Sequence, residues 1–156
     1  MKKPEKYMGR QRIASFWFPA TKNIERERKM TFEPAHFLYL SKCLIKKTPK
    51  ECFLSESVYR TAIGRAYYAA FLEVRNYAAK NDGFISSKTG KDHKNLEIHF
   101  NRSADYSFRQ IGHKLAKLKK WRTLSDYEMS PNFEIPIEKT AKRAVREATQ
   151  IFSKLN

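Results

Sequence analysis

Cysteine is nearly missing from this chain: Cys43 and Cys52 are the two among 156 residues. They stand nine positions apart, with no CxxC spacing and no histidine pairs nearby, which excludes a disulfide framework or a structural zinc site as the organising feature. Both read as free thiols, one of them buried, in a reducing compartment. Five glycines and six prolines are too few for a fold of many short strands and tight turns, and long helices are expected instead. No apolar run approaches the roughly 20 residues of a membrane span. Nor does an apolar N-terminal stretch resemble a secretory signal. The expected location is therefore the cytoplasm, with no membrane partner. Acidic residues are scarce too, 16 against 32 Lys and Arg, for a net charge of +16. Such a surplus attracts polyanions: nucleic acid first, an anionic membrane surface second, an acidic protein third.

What is present is enough apolar material for one core. Hydrophobic residues make up 41% of the chain and aromatics 13%, which excludes a disordered basic tail. Residues 1–29 differ from the rest, with nine Lys/Arg against three Glu and no sustained apolar period. Phe16, Trp17 and Phe18 form an aromatic knot before Pro19. This segment reads as a basic extension: an arm on nucleic acid, a strap over the domain, or a start-site extension ahead of Met30. Residues 30–156 read as the folded domain.

Periodicity divides that domain into helices. Thr31 suits an N-cap and Pro34 the first turn of a helix over about 33–46, with Phe37, Leu40 and Leu44 on its apolar face. Ser55 suits the cap of a long helix to about Lys80. Its apolar residues fall on two adjoining lines, Val58, Ala62, Ala69, Leu72 and Tyr59, Ile63, Ala66, Ala70, Val74, Tyr77. So wide a stripe marks the central helix. Asn81, Asp82 and Gly83 stop it, and 84–92 read as a flexible loop. A short helix near 93–101 and a longer one over about 105–122 follow, the latter with Phe108, Ile111, Leu115, Leu118 and Trp121 at helical spacing. After a loop at 123–135, Pro136 opens a final helix carrying Ala141, Ala144, Val145, Ala148, Ile151, Phe152 and Leu155. The expected fold class is all-α, an up-and-down four- or five-helix bundle.

Two arginines break the apolar lines. Arg65 lies on the line of Ala62 and Ala69, so it would be partly desolvated and would need a carboxylate or carbonyl partner. The structural reading is an internal ion pair; the functional one is a ligand phosphate at a helix or dimer seam. Arg122 follows Leu118 by four and Leu115 by seven, and points with the buried stripe. It can satisfy the last carbonyls of its helix, pair with Asp126, or bind a phosphate.

The run Arg65-Ala66-Tyr67-Tyr68-Ala69-Ala70-Phe71 and the spaced set Arg122, Asp126, Tyr127 resemble the HEPN family of small helical domains, in the branch with an RAYYAAF helix and an RxxxDY motif. Gly64 stands where that branch often has Ser. The opening Met30-Thr31-Phe32-Glu33-Pro34 is similar as well, and the resemblance covers about residues 30–155. It implies a HEPN-like bundle that forms a homodimer and brings the two copies' polar motifs together. It also implies an RNA-directed role in toxin or antiviral defence systems, often beside a nucleotidyltransferase-type antitoxin. Many members are metal-independent endoribonucleases, with Arg steadying the phosphate and a His beyond four to six spacer residues moving protons.

That arginine–histidine motif is not intact here. Where His is expected after Arg122 stand Tyr127, Glu128 and Met129. His113, four residues after Arg109 on one helix face, is the nearest substitute in sequence. His93 and His99 sit near the loop, and His36 reads as structural. As an enzyme, the chain would use Arg122 on the scissile phosphate, Asp126 and Tyr127 to orient it, and His113 as proton carrier. Arg65, Arg109, Lys114, Lys117 and Lys120 would bind RNA through charge. The alternative is a non-catalytic module that binds a nucleotide, a nucleotidyltransferase or a larger effector. No metal-ligand spacing is present, and no metal or cofactor is expected.

Overall fold

The computed structural model describes residues 32–47 and 54–155. The arm at 1–29, the Thr31 cap, the Pro49 stop and Cys52 lie outside them. The described residues form α1 (Pro34–Lys47), α2 (Ser55–Asn81), α3 (Asp92–Asn101), α4 (Tyr106–Tyr127) and α5 (Ile137–Leu155), and no strand. The protein is an all-α bundle over this length. No described helix is long and apolar enough to cross a membrane.

The centre is α2, which packs against α1, α4 and α5, while α3 rests mainly on α4. Of its two predicted lines, Tyr59, Ala62, Ile63, Ala66, Ala69, Ala70 and Val74 are buried and Val58, Leu72 and Tyr77 half-buried; Ala78, outside those lines, is fully buried too. Small side chains on so many turns let three neighbours approach one helix. Larger apolar groups fill the gaps between them, among them Leu96, Ile111, Leu115, Leu118 and Ile151. Each such burial contributes about 1.5–3 kcal/mol before the cost of ordering.

On α1 the apolar face is turned from the expected one. Leu38 and Ser41 are buried, whereas Leu40 is 43% exposed. The reason is Ser41, whose hydroxyl donates to the Ala62 carbonyl at 2.7 Å and brings α1 close against α2. Ser55 is the first residue of α2 rather than a side-chain cap, since Leu54 holds the cap position. Gly83 ends α2 as expected: its φ of 66° turns the chain so that the Asp82 and Phe84 N–H groups both donate to the Ala78 carbonyl.

The predicted flexible loop contains an anchored turn. Asp92 is buried at the start of α3 and accepts from the Ser86 and Ser87 hydroxyls and from the Ser87 N–H. Those bonds, Ser86 first, pull its carboxyl down to a pKa of about 2. Asp105 caps α4 by accepting from the Ser107 N–H at 2.7 Å. The end of α3 presses on α4 at Gly112, where a Cβ would lie 2.9 Å from both Asn101 Cγ and the Asn101 backbone N, and closer still to Oδ1.

The largest departure from the expected elements is the length of α4. It runs through Tyr127 instead of stopping near Arg122. Arg60 of α2 explains how the extra turn holds. Its guanidinium donates to the carbonyls of Ser125, Glu128 and Met129, and pairs with Glu56 at 2.7 Å. A cation at the negative end of a helix satisfies carbonyls that otherwise lack donors. The role expected as one option for Arg122 is thus carried out by Arg60.

Candidate functional site

Because α4 continues, Arg122 and Asp126 share a helical face, and Arg122 Nε lies 2.7 Å from Asp126 Oδ2. The guanidinium also crosses to α2 and donates from Nη2 to the Tyr68 hydroxyl at 2.8 Å. Its carbon sits 5.3 Å from the centre of the Tyr68 ring and 4.7 Å from that of Tyr127. Burial works against this charge, but Tyr127, Tyr68 and Asp126 more than offset it. The carboxylate lies against Gly64, where a Cβ would be in ordinary contact at 3.5 Å from Asp126 Oδ1.

Arg65 reaches the same tyrosine from the preceding turn of α2. Its guanidinium carbon lies 5.6 Å from the Tyr68 ring centre and 4.8 Å from that of Phe37. The expected carboxylate or carbonyl partner is not found among the described residues; aromatic faces hold the cation instead. Both motif arginines therefore converge on Tyr68, one from each helix.

A histidine joins them that sequence spacing ranked below His113. His93, on the first turn of α3, sits with its ring 4.0 Å from Phe71 and 6.4 Å from Tyr68. Its Nδ1 lies 2.5 Å from the Tyr67 hydroxyl. Burial, then Lys119 and Arg122, push its pKa down; Asp92 opposes them, and Arg75 adds the smallest downward push. Arg75 completes the group, with its guanidinium 5.7 Å from the Phe71 ring centre. Arg65, Tyr68, Leu72 and Arg75 fall at spacings of three and four along α2, and all four are half-buried. Two adjoining rings, Tyr68 and Phe71, thus carry Arg65, Arg122, His93 and Arg75, with Lys119 one turn before Arg122.

The other expected site residues lie elsewhere. His113 is exposed on α4, nine residues before Arg122, or about 13 Å along the axis. Arg109 donates to the Ser103 and Ala104 carbonyls and secures the turn into α4. Lys114 and Lys117 converge on Glu147 of α5, at 2.5 and 3.5 Å, and Lys117 also lies over the Trp121 ring. Lys120 pairs with Glu134 at 3.2 Å. Three of the lysines expected to meet RNA are therefore engaged within the chain. Tyr127 belongs to the cluster and is 65% exposed. His99 lies 3.6 Å from Asp82, and His36 accepts from the Glu33 N–H. Among the described residues no group of three or more His, Cys, Asp and Glu is gathered as for a metal ion.

The cluster can bind an anion by charge and by planar, forked hydrogen bonding. Arg65, Arg75 and Lys119 have no carboxylate partner among the described residues, and Asp126 is the single carboxylate paired with the group's arginines. Sequence did hold one clue to Arg75, its place ten residues after Arg65 on one helical line.

No family model matches the chain, and no solved structure matches it significantly. It is 32% identical over 111 residues to Uncharacterized protein MJ0628 of Methanocaldococcus jannaschii, across 63% of this chain and 64% of that protein. The chain thus spans less than two thirds of the length of the relative it matches.

Proposed function

We propose that the protein is a HEPN-type, RNA-directed domain of the toxin or defence kind, which holds a phosphodiester backbone at the Tyr68–Arg122 cluster. The observation that carries this reading is the convergence of Arg65 and Arg122, from separate helices, on one half-buried tyrosine, with more cations beside them than carboxylates. Arg122 offers a planar fork to a phosphate, and the ring faces keep it oriented. Arg65, Arg75 and Lys119 add charge that follows a strand. As a homodimer, the protein would present two such clusters.

The test is binding of labelled single-stranded RNA in chelator, followed over time for cleavage. With about four cations engaged on a single strand, affinity should fall about 50-fold between 50 and 200 mM salt. Salt-independent binding, or none, would remove the reading. Cleavage, with growth arrest on expression, would make the protein a metal-independent endoribonuclease.

A second reading has its own support. Tyr127 and Met129 are 65% and 94% exposed at the end of α4, beside an open hollow of about 630 Å³ lined by Met129, Pro131, Phe133 and Ile137. Apolar groups so placed suit a protein partner, such as a nucleotidyltransferase or a larger effector. Stable RNA binding without cleavage, together with co-purification of such a partner, would favour this module.

A further inference from the structure

His93 is held in a way that leaves one ring nitrogen for a ligand. The Tyr67 hydroxyl occupies Nδ1 at 2.5 Å. Tyr67 is 1% exposed, and its burial raises the phenol's pKa well above its ordinary value, so it stays protonated there. Nε2 has no partner among the described residues. The groups facing the ring come from all three elements around it: Tyr67, Tyr68, Phe71 and Arg75 of α2, Asp92 of α3, and Lys119 and Arg122 of α4. Three of these are cations. Asp92 is the anion that acts on the ring, its oxygens already committed to Ser86 and Ser87, and Glu97, one turn further along α3, acts on Tyr67.

An imidazole among cations stays neutral until something negative enters. We propose that His93, Arg75, Lys119 and Arg122 form a phosphoryl-binding site that takes up one proton on His93 as the anion binds. The idea rests on the cluster being the side of the protein that meets nucleic acid, and it specifies how one phosphate is held. A phosphate oxygen reverses the local potential and the imidazolium becomes the favoured form: Nδ1 carries a proton and donates it to the Tyr67 oxygen, whose own hydrogen turns away, while Nε2–H donates to the ligand. The low value of the free histidine and the attraction of the bound anion then act together: the larger the difference between the two states, the more strongly binding depends on pH. The sign follows from linkage. Affinity rises as pH falls through the bound-state midpoint and levels off below the free-state midpoint.

The measurement is the imidazole carbon and nitrogen resonances of His93 from pH 5 to 8, assigned by their loss in His93→Gln. They are followed with no ligand, with a 5′-hydroxyl oligoribonucleotide whose charges are all diesters, and with inorganic phosphate. The diester probe has no titration of its own in this range. The expected result is a midpoint raised by at least about one unit on binding, which corresponds to about tenfold tighter binding at low than at high pH. His93→Gln should bind the oligoribonucleotide with the wild-type affinity of pH 8 at every pH. A midpoint raised by the oligoribonucleotide identifies the ligand as a backbone diester. A midpoint raised by inorganic phosphate alone identifies a terminal phosphate; the site then stands and the RNA reading falls. If the oligoribonucleotide binds and the midpoint does not move, the site proposed here is overturned while RNA binding survives. The wild-type titration decides this even if the variant folds poorly.

Discussion

Gly112→Ala is expected to lose about 3 kcal/mol of stability and to lower the melting temperature by about 10 °C, measured by thermal unfolding of the full chain. The new methyl carbon would fall 2.9 Å from both the Asn101 backbone N and Cγ, and nearer still to Oδ1. The side-chain end can swing aside, but the backbone nitrogen belongs to the last turn of α3. Relief therefore requires α3 to lift from α4. Asn101 Oδ1 is buried without a hydrogen-bond partner, so moving it brings no compensating bond unless it reaches water. A variant with unchanged melting would mean that α3 lies further from α4 than described. Because α3 also carries His93, partial lifting would weaken ligand binding along with stability.

Arg122→Ala should separate function from folding. RNA affinity is expected to fall about 10- to 100-fold, in line with about 1.4–2.7 kcal/mol for a charged fork on a phosphate. Two effects combine in that number. A positive partner is removed, and Asp126 is left without its ion pair, facing the strand as an unopposed carboxylate. Stability should fall less, by about 1 kcal/mol, since Tyr68 loses a hydrogen bond at a half-buried site. Arg122→Lys should recover charge without the planar fork between two rings, and so restore only part of the affinity. Lys120→Ala, at an exposed lysine paired with Glu134, should change affinity little. Equal losses in the Arg122 and Lys120 variants would show that charge is read diffusely and that the cluster has no special place.

Much of this arrangement is written in local pattern. Ala62 to Val74 announce the central helix because six small and apolar groups recur on adjoining lines, and the fold buries all six. Arg65 and Arg122 are legible as inward cations because each interrupts such a line. What sequence hides is contact between elements. Ser41 looks like a solvent residue until its bond to Ala62 is seen, so the face of α1 is misjudged by about one residue. Lys114 and Lys117 look free because Glu147, their partner, sits on another helix more than 25 positions later. His93 is the same case. Arginine and histidine are expected close in sequence, and the imidazole that meets the arginines here arrives from a different helix, across the anchored Ser86–Asp92 turn. The last turn of α4 was hidden for a related reason: the groups that hold it belong to Arg60, on α2.

That clamp has a bearing on how information would pass through the protein. One guanidinium binds the end of α4 from behind, at the carbonyls of Ser125, Glu128 and Met129, while Asp126 and Tyr127 on the same turn flank Arg122. Whatever grips the chain after Met129 pulls on a segment only a few bonds from the tyrosines that flank Arg122. An occupant of that tail and a strand on the cluster are thus mechanically in series, and the strength of one grip sets the slack available to the other.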